Sequence, residues 1–277
     1  MTNGDGDFSI RRILVAVDAS PASLSVVEAA ATLAAGLDAE LSGIYVEDVN
    51  LLRLAGLPFA RELAWSSATE LQLDCQRMER VLRGRGAHAQ RAVFSITRQL
   101  KLRGSLRIVR GQVVQEVLRA TADMDLLILG RGETTVKRCG SVALQMAQAA
   151  PCSVLLLSEA GLTHQSVMVS FTARERDGRT LQAAARLAGL IGSRLLVVLP
   201  SSGDTDNSRR QNEAQRLLGQ GSLLVTYQSV INADTRFYQR LLHEEGVGVA
   251  VIDGELQDAK TLQSTLDILS CSVLLVR

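Results

Sequence analysis

Asp18 closes an apolar run, Ile13-Leu14-Val15-Ala16-Val17, and Val46-Glu47 close a second. Arg110-Gly111 follow a third, Gly130-Arg131-Gly132 a fourth, and Gly140-Ser141-Val142 open the helical stretch after it. A glycine-bearing loop that runs into a helix N-terminus can aim backbone N–H groups at an anion, aided by the helix dipole. Between 131 and 139 the cations Arg131, Lys137 and Arg138 face the single acid Glu133, so phosphate is the natural guest of such a loop. The same residues also read as a strand end, a helix cap and solvated cations. Spacing alone leaves both readings open.

These residues need elements to hold them. The runs at 12–17, 40–46, 105–110, 125–129 and 152–157 are apolar almost throughout rather than alternating, as in strands covered on both faces. Helical spacing fills 21–35, 112–122 and 141–149, and Ser20-Pro21 offers a cap with Pro at the first helical position. Strands alternating with helices imply right-handed crossovers and a parallel sheet, with ligands beyond the carboxyl ends of the strands. The stretch 59–100 is predicted as one or two helices, broken at Gly84-Arg85-Gly86, with Trp65, Met78 and Leu82 inward and an Arg-rich outer face. Its plain reading is a cover for the sheet; its sharper one is a partner-binding helix.

The chain repeats itself. Ile13 to Ala19 aligns with Val167 to Ala173, and Ala29 to Ala34 with Ala183 to Ala188, both at a shift of 154 positions. Cys152-Ser153-Val154-Leu155-Leu156 matches Cys271-Ser272-Val273-Leu274-Leu275 at a shift of 119, so the second copy lacks about 35 residues from its middle. That copy predicts strands at 166–171, 194–199, 222–227, 248–252 and 271–276, with helices at 177–191, 209–218, 235–245 and 260–268. The closing strands, 152–157 and 271–276, are apolar, and an exposed apolar edge strand is a liability. They are expected to pair with each other across a pseudo-two-fold.

The segments Ile13 to Ser20, Ile108 to Gly111 and Asp125 to Leu157 resemble the universal stress protein superfamily. The strongest match is Gly140-Ser141-Val142-Ala143 with Ala150-Pro151-Cys152-Ser153-Val154-Leu155. The resemblance covers nearly the whole chain as a tandem pair, weakly in the second copy. It implies an α/β fold of two tandem domains, 1–160 and a shortened 161–277, each a mostly parallel five-stranded sheet flanked by helices. Some members resembling this chain bind ATP, through a Gly, two residues, a Gly, nine residues and then Gly-Ser or Gly-Thr, with a first-strand Asp and a Val after strand two on the adenosine. The resemblance therefore points to Asp18, Val46, Gly111, Gly130, Arg131, Gly132, Gly140, Ser141 and Val142 as a site for ATP or another adenine nucleotide, with Mg only if ATP is bound. The spacing departs from the pattern. One residue separates the first glycines and seven the next pair, so the loop is three residues short and has fewer amides for phosphate. In the second copy Thr172, Pro200, Asp253-Gly254 and Ala259-Lys260 replace the matched positions, which reads as a domain without the site.

The implied function is a non-catalytic stress-response regulator. The alternative is a nucleotide-free interaction or chaperone-like factor with an unknown protein partner, and a slow ATPase is a third, weaker reading. The tandem is expected to form its pseudo-dimer within one chain, with a homodimer left open.

Composition bounds the rest. Thirty basic against twenty-nine acidic residues and 3% aromatic content give no general drive toward nucleic acid or an anionic membrane. MTNGDGDFSI has no apolar core of a secretory signal, no apolar run is long enough to span a membrane, and the four cysteines form no C-x-x-C pair. The expected location is the cytoplasm, with free thiols. P-loop, G-x-G-x-x-G, G-x-S-x-G and H-E-x-x-H patterns are absent, no metal ligand set is expected, and His88, His164 and His243 are isolated.

Overall fold

The structure is a computed structural model. It describes residues 9–18, 20–57, 61–64, 69–72, 74–132, 139–162, 165–174, 176–201, 204–219, 221–231, 235–255 and 259–277. The first half runs β1 (Arg12–Val17), α1 (Pro21–Leu37), β2 (Glu40–Asp48), α2 (Val49–Ala55), β3 (Arg61–Ala64), β4 (Thr69–Gln72), α3 (Cys75–Gln99), β5 (Gly104–Gly111), α4 (Val113–Ala120), β6 (Leu126–Gly130), α5 (Ser141–Ala149) and β7 (Ser153–Leu157). The second runs β8 (Ser166–Ser170), α6 (Asp177–Leu190), β9 (Leu195–Ser201), α7 (Asp204–Leu218), β10 (Val225–Ile231), α8 (Thr235–Glu244), β11 (Val247–Asp253), α9 (Ala259–Ile268) and β12 (Ser272–Val276).

Ten strands form one sheet in the order β10-β9-β8-β11-β12-β7-β6-β1-β2-β5. Read outward from the middle, each half repeats the same winding, and all pairings are parallel except β12 with β7. There Leu274 faces Leu155 and Val273 faces Leu156, the pairing expected of the two closing strands. Alternation sends Leu155 and Leu274 to one face of the sheet, with α1, α3 and α6, and Leu156 and Val273 to the other, with α4, α5, α8 and α9. Each apolar layer is therefore continuous across the junction, which is why the strands read as unbroken apolar runs. The Ala-rich repeats have a packing role: Ala30, Ala31 and Ala34 of α1 and Ala183, Ala184 and Ala188 of α6 are fully buried. A side chain on Gly36 would stand 2.5 Å from Leu190, so α1 and α6 touch where the halves meet.

Several elements differ from expectation, among them α2, which was not expected, and α7, which starts five residues early. The stretch 59–100 holds an antiparallel hairpin, β3 with β4, and one unbroken helix, α3; Trp65 lies outside the described residues. Two glycines weaken a helix by about 1 kcal/mol each, but Gly86 is needed. A Cβ there would lie 3.1 Å from the Tyr45 ring and 3.2 Å from Ile108. Packing of α3 on the sheet outweighs propensity. Gly86→Val is expected to destabilise by about 1–3 kcal/mol by overpacking, measured as a shift in the urea midpoint. In the second half β10 begins at Val225, three residues late, leaving Leu224 68% exposed. Just past α8, Glu245 pairs with Arg194 at 2.6 Å.

The cysteines are all free, Cys75 exposed and the other three buried. Burial pushes the Cys271 thiol up to about 11 and raises Cys139 and Cys152 as well. A raised thiol pKa keeps the group protonated and unreactive at pH 8. An alkylating agent at that pH is expected to label Cys75 alone in the folded protein and all four cysteines after denaturation, read by mass spectrometry.

Candidate functional site

The apolar walls come from both strand faces and the helices above them. Val17, Ile44, Val46, Val113, Leu129 and Met146 surround a cavity of about 700 Å³ at the carboxyl ends of β1, β2 and β6. Its rim is polar: Asp18 and Ser20 from the β1–α1 turn, Asp48 from β2, Arg85 from α3, and Ser158 and Glu159 just after β7. Of the residues singled out from sequence, Asp18, Val46, Gly130, Arg131, Gly132, Gly140 and Val142 line this space. Gly111 and Ser141 lie outside the lining. Gly111 instead makes room for Glu116, whose Cγ would stand 2.5 Å from a Cβ there and whose carboxylate pairs with Arg119 at 2.8 Å. Ser141 is the exposed first residue of α5 and does not cap it; Gly140 does, with no side-chain hydrogen bond.

That missing cap matters chemically. α1, α2 and α3 begin on Ser20, Asp48 and Asp74, whose side chains accept a first-turn N–H. At α5 the N–H groups of the first turn have no such acceptor among the described residues, and the positive end of the helix dipole opens on the cavity. The loop before it is closed at its neck. Gly140 N donates to Arg131 O at 2.8 Å, Arg131 N donates to Leu157 O at 2.9 Å, and Gly132 sits at φ +77°, where a side chain would be strained. Glu133, Lys137 and Arg138 lie outside the described residues.

Asp18 and Asp48 on the rim, and Glu47 beside it, already have partners. Asp18 Oδ1 accepts from Ser20 N at 2.9 Å, and Asp48 Oδ1 from Asn50 N at 2.9 Å. Glu47 is buried and held by Arg110, at 2.9 Å from Nε and 2.8 Å from Nη2; the Glu47 hydrogen bond raises the Arg110 pKa further. Tyr45 donates to Leu82 O at 3.2 Å, and burial raises its pKa against the opposing charge of Arg85, so it pins β2 to α3 as a phenol.

Arg131 departs most from its expected role. Its guanidinium is buried and donates to the carbonyls of Leu266, Leu269 and Cys271, the last at 2.7 Å, at the C-terminus of α9. Those carbonyls carry the negative end of the α9 dipole. The cation between the two loop glycines is therefore occupied by the second half rather than held for phosphate. Arg277 returns the contact, donating to Ala147 O at 2.6 Å, to Gln148 O at 3.1 Å and to Ala150 O at the C-terminus of α5.

The matching crevice of the second half is filled by its own charges. Thr172, which stands where Asp18 does, donates from N and Oγ1 to Asp177 Oδ2 at 2.7 Å each. Arg176 pairs with Glu255, and Asp253 Oδ1 accepts from Glu255 N at 2.9 Å. About 200 Å³ remains there. Sequence reasoning missed Leu51, Leu82 and Arg85 as cavity residues, because nothing local in 49–99 marks which turn of a long helix overhangs a strand end.

A doubled parallel α/β sheet, open at the strand ends of its first half and filled at those of its second, is the class of fold these residues make. A family model described as the universal stress protein family matches residues 9–158. The chain belongs to that family. The universal stress protein MJ0531 of Methanocaldococcus jannaschii is 27% identical over 160 residues, 56% of this chain and 86% of that one. Among solved structures, a universal stress protein from Archaeoglobus fulgidus superposes over 98% of this chain and 97% of its own, with a TM-score of 0.69 at 13% identity. The functionally unknown protein PA1789 from Pseudomonas aeruginosa does so over 97% and 93%, with a TM-score of 0.60 at 16% identity.

Proposed function

We propose that this protein is a non-catalytic stress-response regulator that binds an adenine nucleotide in its first domain, 1–160, while the degenerate second domain, 161–277, serves as scaffold. The observation that carries this reading is the uncapped N-terminus of α5 opening on a 700 Å³ apolar cavity. A flat base fits between Val46, Val113 and Leu129, and the second Asp18 oxygen, without a protein partner among the described residues, suits a ribose hydroxyl. The N–H groups of Ser141, Val142 and Ala143 suit phosphate.

Charge bears on the number of phosphates. Asp18, Asp48 and Glu159 stand on the rim, and with Arg131 occupied, Arg85 is the one free cation among the described lining residues. Together with the shortened loop, this favours a mono- or diphosphate over a triphosphate. Mg would enter only with ATP. Titration calorimetry with AMP, ADP and ATP tests the reading. Binding of AMP or ADP at least as tight as ATP is the expected result. No heat with any of the three, and no nucleotide released on denaturing the purified protein, would reject it.

A further inference from the structure

The formal charge of +1 conceals a strong polarity. Eleven of the thirty basic residues but only two of the twenty-nine acids fall between Cys75 and Arg119, leaving nineteen basic against twenty-seven acidic elsewhere. In the fold most of this segment makes one face, α3 with the β5 side chains turned toward it, while Arg107, by alternation, and Arg119 on α4 lie on the opposite side of the sheet. α3 lies along the free edge strand β5, fixed by Thr97 against Gly104, Gly86 against Ile108, and Glu79 against Arg110 at 3.2 Å. Arg83, Arg110 and Arg119 have carboxylate partners; the other eight cations have none within ion-pair distance among the described residues. Arg80, Arg91 and Arg98 follow the solvent side of α3 at helical spacing. Large apolar side chains stand among them: Phe94 is 63% exposed, Leu100 43%, and Val81 and Ile108 40% each.

Guarding an edge strand takes the charges on β5 itself and does not call for the row on α3. We propose that the α3–β5 face is a docking surface for an anionic lipid bilayer, independent of the nucleotide reading. Clustered cations are drawn to the negative surface potential of such a membrane, and the protruding apolar side chains enter its interface. A nucleic acid would satisfy the arginines, but its phosphodiester edge offers nothing to Val81, Leu100 and Ile108, so lipid fits the whole face better. No described helix is long and apolar enough to cross a membrane, so the contact lies in the interfacial plane.

Co-sedimentation of the full chain with vesicles of phosphatidylcholine alone, and of phosphatidylcholine with phosphatidylglycerol, tests this. Binding is expected only to the vesicles containing phosphatidylglycerol, and it weakens as salt rises. The combined variant Arg80→Glu, Arg91→Glu, Arg98→Glu should lose about 100-fold in partitioning, and Phe94→Ser about tenfold. Because these side chains are exposed, melting curves should match the wild type. If the triple variant melts early, the milder pair Arg91→Gln, Arg98→Gln gives a smaller loss in the same direction, and the salt dependence of the wild type needs no variant. Equal binding to both vesicles, binding to neither, an unaffected charge variant, or retention of labelled single-stranded RNA without vesicle binding would overturn the proposal.

Discussion

Arg131→Met is expected to lower the stability of the chain by about 3–5 kcal/mol, because it leaves three buried carbonyls at the end of α9 without their donor. Chemical denaturation followed by circular dichroism measures it. Lys at the same position has one compact ammonium rather than a planar fork, so it should recover only part of the loss. The side chain is buried at the junction, and the opposite contact through Arg277 stays in place, so the weakened state should open at the β7–β12 junction first. Nucleotide affinity discriminates the role. The backbone of Arg131 closes the loop neck whatever its side chain, so affinity measured well below the melting transition should change by less than about threefold. A stability loss under about 1 kcal/mol, or a large loss of affinity in a protein that still melts like the wild type, would return Arg131 to the phosphates.

Gly140→Leu is expected to lower nucleotide affinity by about 100-fold or more. A Cβ at this position would stand 3.4 Å from Arg131 O and 4.0 Å from Gly132 Cα, and the rest of the side chain fills the approach to the α5 N-terminus. Losing two charge-assisted hydrogen bonds at about 1.5–3 kcal/mol each accounts for the size of the effect. The backbone at Gly140, φ −59° and ψ 144°, is open to any residue, so the melting temperature should hardly move. Calorimetric titration and a thermal melt on the same sample separate the two effects. Wild-type affinity in the variant would show that the ligand lies elsewhere.

The fold was legible in the sequence wherever burial on both faces wrote continuous apolar runs. β1, β6, β7 and their counterparts fall within a residue or two of expectation, and the match of Cys152-Ser153-Val154-Leu155 with Cys271-Ser272-Val273-Leu274 announced the junction. It failed where tertiary contact overrode local preference. Gly86 reads as a helix breaker because its reason, the Tyr45 ring, sits forty-one positions earlier in the chain. The site was half legible. Asp18, Gly130, Gly132 and Gly140 line the cavity their positions at the strand ends suggested, and at Gly132 the positive φ is what demands glycine. Arg131 misled because a cation between glycines suggests an anion, and its actual acceptors lie more than 130 residues away. The charge polarity of the chain was equally hidden, because an overall balance says nothing about where the charges gather.

Hydrogen exchange read by mass spectrometry, with and without saturating ADP, tests the central claim most directly. Protection confined to the amides around Gly130–Gly132 and Gly140–Ala143, with the strand ends near Asp253 and Glu255 unchanged, is the predicted result. Exchange that ADP leaves untouched in the first half, or slows only in the second, would contradict it.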